Sequence, residues 1–336
     1  MRILVTGGAG YIGSVTVEAL LGAGHDVEIL DDLSTGHRLS VPEGARLHVA
    51  TYVDAASVAA ILRDRAVDAV LHCGARSLVG ESVRDPARYY RQNVAGGIAL
   101  LEGMRDAGVR RIVFSSSAAV YGAPDRTPIT EDLPLRPINP YGETKRTFET
   151  ALAFYAGAYG LRSVSLRYFN AAGASVANGE DHEPETHLIP NVLRAAQQGA
   201  SVAIFGDDYP TPDGTCVRDY VHVEDLARAH LLALIATHPG DPRSGATPEA
   251  GAALALNLGT GLGFSVREVV EAAERIAGEA IAVSMRPRRE GDPPVLVASA
   301  ARAADVLGWR AERSTLEDMI GSAWAWRLAH PQGYTA

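Results

Sequence analysis

Short apolar, β-branched runs alternate with helical periodicity through the first half of the chain. Residues 3–5, 27–30, 69–71, 112–114 and 164–166 are continuous apolar stretches, the pattern of strands buried on both faces. Between them, residues 11–23, 58–64, 89–107 and 140–159 read as helices. This alternation predicts an α/β fold, a Rossmann-type doubly wound parallel sheet with helices on both faces. From Ala171 the pattern loosens. Residues 178–185 read as a polar loop, 188–198 as a helix, 207–214 as a turn-rich segment and 238–251 as a Pro-, Gly- and Ala-rich surface loop. Residues 257–263 then lead into a helix over 266–277. The expectation is a nucleotide-binding domain over residues 1–170 and a smaller C-terminal substrate-binding lobe over 171–336. Parts of 216–277 are expected to return and pack on the first domain.

Composition narrows the class. The 336 residues, 47% hydrophobic and 21% charged, suit a globular protein with a large core. A net charge of −9 argues against non-specific association with nucleic acid or an anionic membrane. Two cysteines, Cys73 and Cys216, imply no disulfide framework. Met1-Arg2 runs straight into Ile3-Leu4-Val5, too short an apolar run for a signal sequence, and no stretch reaches the roughly 20 apolar residues of a membrane span. A cytoplasmic location is expected.

The candidate chemistry sits at strand ends. Thr6-Gly7-Gly8-Ala9-Gly10-Tyr11-Ile12-Gly13 follows the first strand and opens the first helix, where glycines let a pyrophosphate approach backbone amides. Asp31-Asp32 ends the second strand, placed to bind an adenine ribose and to repel a 2′-phosphate, which favours NAD over NADP. Asn139-Pro140 reads as an N-cap and first-turn proline, so Tyr141 and Lys145, four apart, share one helix face. A lysine cation held near the phenol is expected to lower its pKa and make it a base. Ser115-Ser116-Ser117 follows the strand at 112–114, where a hydroxyl can hold a substrate oxygen. His182-Glu183-Pro184-Glu185-Thr186-His187 lacks the His-Glu-x-x-His spacing, and Pro184 disfavours the helix such a motif needs. It reads as a loop, and no metal is expected. Arg286, Arg288 and Arg289 read either as a solvated basic edge or as a diphosphate site.

Together these residues resemble the extended short-chain dehydrogenase/reductase family, and within it the UDP-glucose 4-epimerases. The likeness runs almost the whole length, and Asp213-Gly-Thr-Cys-Val-Arg-Asp-Tyr-Val-His222 is its most specific segment. The resemblance implies reversible C4 epimerisation of a UDP-hexose by transient hydride transfer to tightly bound NAD, in a homodimer. It makes Tyr141 the base, Lys145 its electrostatic partner and a ligand of the nicotinamide ribose, and Ser117 a partner of the sugar. Cofactor contacts fall on Gly7, Gly10, Tyr11, Ile12 and Gly13, then on Asp31, Asp32, Leu33, Ser34, Thr35 and Gly36. Thr51, Tyr52, Ala75, Asn93 and Phe169 complete that set. The UDP portion falls to Asn170, His187, Leu188, Ala203, Ile204, Phe205, Arg218, Arg289 and Asp292.

Three departures stand on what is expected to be the cofactor side. Ala50-Thr51-Tyr52 replaces the usual Gly-Asp-hydrophobic segment, His72-Cys73-Gly74-Ala75 replaces His-Phe-Ala-Ala or His-Phe-Ala-Gly, and Val15 replaces a histidine. Loss of the aspartate at Thr51 predicts weaker NAD retention than in relatives. Leu296 falls where relatives carry a tyrosine or a small residue lining the sugar pocket, so it predicts preference for plain hexoses with slower turnover of N-acetylated ones. A nucleotide-sugar 4,6-dehydratase is the nearest rival, but it needs acids where this chain has Ala118-Ala119, and alanine transfers no proton. A non-catalytic NAD-binding protein would be free to lose Ser117, Tyr141 or Lys145, and all three are present.

Overall fold

Seven strands form one parallel sheet in the order Ala252–Leu258, Arg162–Tyr168, Arg111–Ser117, Ala69–His72, Arg2–Thr6, Asp26–Asp31, Arg46–Val49. The computed structural model describes residues 1–244, 251–289 and 292–335. Within the loop expected over 238–251, residues 245–250 therefore lie outside the described residues. Strand order reverses between Arg2–Thr6 and Ala69–His72, which opens a crevice at the carboxyl ends of these strands, where such sheets bind ligands.

Alternation of side chains explains why the strands read as unbroken apolar runs. Ile3 and Val5 face one layer with Leu71, Val113, Val164 and the helix Val223–Ala236. Leu4 faces the other with Leu30, Val70, Ile112 and Phe114, under the helices Gly96–Ala107 and Pro140–Tyr159. Each fully buried aliphatic side chain contributes about 1.5–3 kcal/mol, so both faces favour apolar residues. The five expected strands and four expected helices are present. The run over 89–107 is helical throughout, with a π-helical stretch at Tyr90–Ala95 leading into Gly96–Ala107.

Several elements were not read from the sequence, three of them in or against the main sheet. Arg46–Val49 is a short, partly exposed edge strand without an apolar run. Val223–Ala236 is buried enough to lack a clear polar face. Ala252–Leu258, to which the sequence reading assigned no element, joins the sheet beside Arg162–Tyr168.

The remaining elements are smaller. The strands Phe264–Ser265, Val217–Arg218 and Val295–Leu296 form one sheet, and Ser201–Phe205 pairs in parallel with Ala282–Arg286. The helices Leu188–Gln198, Val266–Ala277 and Leu316–Ala329 close a separate core around Val192, Leu193, Val269, Met319 and Ile320. Among the described residues no helix is long and apolar enough to cross a membrane.

Candidate active site and nucleotide pockets

The glycine fingerprint forms a turn too tight for side chains. Gly7 has φ +70°, and a Cβ there would lie 2.5 Å from the backbone nitrogen of Gly74. A Cβ at Gly13 would lie 2.0 Å from the Gly7 carbonyl oxygen. The helix Tyr11–Gly22 starts at Gly10 without a side-chain cap, so the amides of Tyr11, Ile12 and Gly13 have no intrahelical partner. That is an anion site of the kind a pyrophosphate fills.

Asp31 is buried beside this turn. Its Oδ2 accepts from the Ala9 amide at 3.0 Å and its Oδ1 from the Leu33 amide at 2.9 Å. Burial raises its pKa, and the two amides counter that. Leu33 has φ +56°, and a Cβ at Gly36 would come within 3.0 Å of Asp31 Oδ1. Ser34 and Thr35 are exposed, as is Asp32, which caps the Ser34 amide at 2.9 Å. A cradle that excludes any Cβ, free helix amides and a buried carboxylate with lone pairs to spare fit a dinucleotide.

The three departures behave differently from one another. Tyr52 and Gly74 pack together, since a Cβ at Gly74 would lie 2.9 Å from the Tyr52 ring, which stands edge-on to His72 at 5.0 Å between centroids. Thr51 is half-buried and accepts from the Val53 amide at 3.3 Å. Val15 is buried against Val223 and Ala227, so its departure is a matter of helix–helix packing rather than of the cofactor side. Ala75 is half-buried beside this segment. Asn93 turns its amide to Arg76, accepting from the backbone N–H at 2.8 Å and donating to the carbonyl at 2.9 Å, and donates to Thr144 Oγ1 at 3.1 Å. Those bonds occupy both its functions, which makes it a clamp on the 74–76 segment.

Ser117 ends the strand Arg111–Ser117, and Tyr141 and Lys145 face it from the helix Pro140–Tyr159. Asn139 caps that helix, its Oδ1 accepting from the Gly142 amide at 2.8 Å. Lys145 Nζ donates to the Ser115 carbonyl at 2.7 Å and lies 4.8 Å from the Phe114 ring centroid and 5.8 Å from that of Tyr141. Burial lowers Lys145 to about 8. Burial raises the Tyr141 phenol, with the Ser117 hydroxyl opposing. Desolvation thus dominates at the phenol, while the ammonium is engaged by the strand-end carbonyl.

Beneath this group lies a buried polar network that sequence reasoning missed. Arg167 forks onto Glu149, Ser116 Oγ donates to Glu149 Oε1 at 2.5 Å, and Arg167 donates to the Tyr121 hydroxyl at 2.8 Å. That hydroxyl donates to Asn257 Oδ1 at 2.8 Å, tying the late strand Ala252–Leu258 to the catalytic end of the sheet. The only signal was chemical: an arginine and alternating serines inside otherwise apolar strands, with the partner Glu149 on the helix Pro140–Tyr159.

On the other side of the crevice a cavity of about 480 Å³ is lined by Asn170, His187, Leu188, Ala203, Ile204, Phe205, Arg218, Arg289 and Asp292. All nine were named from the sequence as UDP-portion residues. Arg218 is ion-paired with Asp292 and donates to the Val217 carbonyl at 2.8 Å, and Asn170 donates to the Asp219 carbonyl at 2.9 Å. Arg289 is exposed, its guanidinium 4.0 Å from the Phe205 ring centroid. Arg288 turns away to Asp208 and the Tyr209 ring, and Arg286 is exposed on its strand, so of that basic run Arg289 lines the cavity. Asn191 and Arg194 line it too and were missed. Their spacing from Leu188, three and six along one helix, was the available clue. Phe169 and Leu296 each pack against the cluster of Val120, Tyr121 and Ile129, and Leu296 pairs with Arg218 in the short sheet.

The segment 178–187 is a loop, as its sequence reads. It nonetheless gathers Glu180, His182, Glu185 and His187, with one potential ligand atom from each inside a sphere of mutual distances up to 4.8 Å. Spacing along a helix could not reveal this, because chain reversal in a loop brings the residues together.

Comparison with known proteins agrees with this geometry. Residues 3–244 match the family model described as "NAD dependent epimerase/dehydratase family". The chain is 50% identical over 340 residues to a UDP-glucose 4-epimerase of Lactobacillus helveticus, covering 99% of each chain. The crystal structure of UDP-glucose 4-epimerase from Brucella ovis in complex with NAD superposes with a TM-score of 0.90 at 48% identity, over 96% of this chain and 97% of that one. The Bifidobacterium longum UDP-glucose 4-epimerase, solved with NAD⁺ and UDP, gives a TM-score of 0.90 at 37% identity, over 99% of this chain and 100% of that one. With a parallel sheet reversing at the glycine cradle and full-length identity at this level, the chain belongs to the NAD-dependent epimerase/dehydratase family.

Proposed function

We propose that this protein interconverts UDP-galactose and UDP-glucose by inverting C4 of the hexose. When bound, NAD supplies the acceptor for the C4 hydride and returns it to the opposite face. The chain's own residues do the rest. Tyr141 takes the 4-hydroxyl proton and later gives it back, and Ser117 holds the same oxygen by hydrogen bonding. Lys145, buried beneath the pair, supplies positive charge near the phenol and a donor toward the ribose. Arg218, Arg289 and the start of the helix Leu188–Gln198 hold the diphosphate while the 4-keto sugar turns over between the two faces. In this division residues 1–170 hold the cofactor and residues 171–336 hold UDP.

The observation that carries this reading is the pairing of Ser117, Tyr141 and Lys145 with Ala118 and Ala119. The first three can move a proton at O4. The alanines, in the short turn Ala118–Val120 that Ser117 caps, offer no acid to expel a 6-hydroxyl, which disfavours a dehydratase. The test is direct: incubate the purified protein with UDP-galactose and resolve products by chromatography. An equilibrium mixture with UDP-glucose supports the proposal, and a 4-keto-6-deoxy product or no conversion overturns it.

Leu296, packed against the same cluster as Phe169, leaves less room than a small residue would. UDP-N-acetylgalactosamine should therefore turn over measurably but slowly, and Leu296→Tyr should abolish that turnover. A homodimer in the cytoplasm fits the same reading: Phe154 on the helix Pro140–Tyr159 is 73% exposed, and both cysteines are free. Light scattering at micromolar concentration checks the oligomeric state.

A further inference from the structure

We propose that Glu180, His182, Glu185 and His187 form a binding site for a divalent transition-metal ion, zinc foremost. The argument stands apart from the catalytic reading. Two imidazole nitrogens and the carboxylates converge on one point. His187 Nδ1 lies 2.8 Å from Glu180 Oε1 and 2.9 Å from Glu185 Oε1, and His182 Nδ1 lies 3.2 Å from Glu180 Oε1 and 3.8 Å from Glu185 Oε2. Ligands about 2.0–2.2 Å from a tetrahedral zinc stand roughly 3.3–3.5 Å from one another. These four spacings lie around that value and the four ligand atoms all lie within 4.8 Å of one another, so an ion would draw the four side chains inward to complete its shell.

Burial and charge point the same way. The Glu180 and Glu185 side chains are 8% and 1% exposed, so two carboxylates lie side by side away from water. Such a pair is costly unless compensated. Without an ion the two imidazoles face the carboxylates as their ion-pair partners, and each Nδ1 lies near both. A dication satisfies all four groups at once, with both imidazoles neutral and ligating through lone pairs. Two nitrogens and two oxygens form a borderline donor set that suits zinc or cobalt better than magnesium or calcium, which prefer all-oxygen shells.

The location says what the ion would do. His182 stands edge-on to Tyr11, the first residue of the cofactor helix, with ring centroids 6.4 Å apart. Asp181 in the same loop accepts from the Tyr334 amide at 2.9 Å and is bonded through its carbonyl to His37 Nε2 at 2.9 Å. His187 precedes the helix Leu188–Gln198 that lines the nucleotide cavity. An ion here would pin a loop touching both the dinucleotide turn and the substrate helix, a structural rather than a hydrolytic role.

The test uses untagged, full-length protein dialysed against EDTA. Calorimetric titration with zinc should show saturable binding of one ion per chain, and titration with cobalt(II) should give the visible bands of a tetrahedral nitrogen–oxygen site. Loss of a partner outside the ligand shell typically weakens metal sites about 10–100-fold, so His182→Gln and Glu185→Gln should each weaken zinc by at least about a hundredfold. Zinc should raise the melting temperature of the wild type and not of the variants. No saturable zinc binding by the wild type overturns the proposal, whether or not the variants fold. Equal zinc affinity in folded variants, or a preference for magnesium over zinc, overturns it as well.

Discussion

The two sides of the crevice manage charge in opposite ways. At the catalytic end of the sheet, the charge nearest the chemistry is desolvated: Lys145 is buried on a carbonyl and an aromatic ring, with no carboxylate within ion-pair distance among the described residues, and its pKa falls to about 8. In the nucleotide cavity charge is paired and closer to water: Arg218 lies against Asp292, and Arg289 rests exposed on Phe205. Desolvation tunes a proton for chemistry, whereas one paired cation and one exposed cation hold a diphosphate that must be released. Changes on the first side should therefore act on kcat, and changes on the second on KM.

The largest expected effect is at the phenol. Tyr141→Phe keeps the ring and deletes the proton acceptor, so kcat should fall by about 10²–10⁴-fold while NAD content of the folded protein is unchanged. Because burial raises the phenol's pKa, the wild-type rate should climb from neutral toward alkaline pH, and that limb should vanish in the variant. Activity within a few-fold of wild type would mean that the desolvated side does not carry the chemistry.

Arg218→Ala probes the other side. It removes a charge-assisted contact and leaves Asp292 unpaired toward an anionic ligand. A hydrogen bond to a charged group contributes about 1.5–3 kcal/mol, which is roughly ten- to a hundredfold in KM. Steady-state kinetics that show a loss in kcat at unchanged KM would break the comparison.

The same contrast governs what could be read in advance. The cofactor side is built from consecutive residues, a strand, a turn and a helix, so Gly7 to Gly13, Asp31 and the Tyr141–Lys145 pair were visible as local patterns. The nucleotide cavity is assembled from short pieces, Ser201–Phe205, Val217–Arg218 and the start of Leu188–Gln198. Its residues could be named through family resemblance, and Arg194 escaped because its role depends on helix orientation. Val15 shows the limit from the other direction, since position near a motif did not say which way the side chain turns. The Glu149–Arg167–Tyr121–Asn257 network was invisible for a related reason: it joins strands far apart in sequence.

Acid should expose the dry side next. His72 and His230 are fully buried, and burial lowers them to about 3 and about 4. His230 donates from Nδ1 to the Leu226 carbonyl at 2.8 Å, and its Nε2 faces Ser115 Oγ at 3.2 Å, so it is held as the neutral imidazole. Their folded pKa values lie below the unfolded value near 6.5. Above that value neither state binds the proton and stability is intact. As pH falls from about 6.5 toward 4 the unfolded chain protonates first, and stability drops by about 1–2 kcal/mol per histidine near pH 5. Melting temperatures measured between pH 7.5 and 5 should fall less steeply in His230→Gln, whose amide offers a donor and an acceptor without titrating. Equal slopes would remove His230 from the account.

The smallest effect separates the two arginines of the cavity. Arg289 is exposed and held over the Phe205 ring, without an ion pair among the described residues. An exposed cation–π contact contributes about 0.5–1 kcal/mol, and the long-range attraction to a diphosphate at the rim is screened over about 8 Å at physiological ionic strength. Arg289→Ala should therefore raise KM only about two- to fivefold, and added salt should shrink even that difference. Arg218 is 13% exposed in its side chain and reaches the cavity from a strand, so its contact is shielded and its larger effect should persist in salt. Measuring KM for both variants at low and high salt decides the point. If Arg289→Ala costs more than Arg218→Ala, or if salt leaves it untouched, then the rim rather than the paired arginine anchors the diphosphate, and the division between shielded and exposed charge within the cavity is wrong.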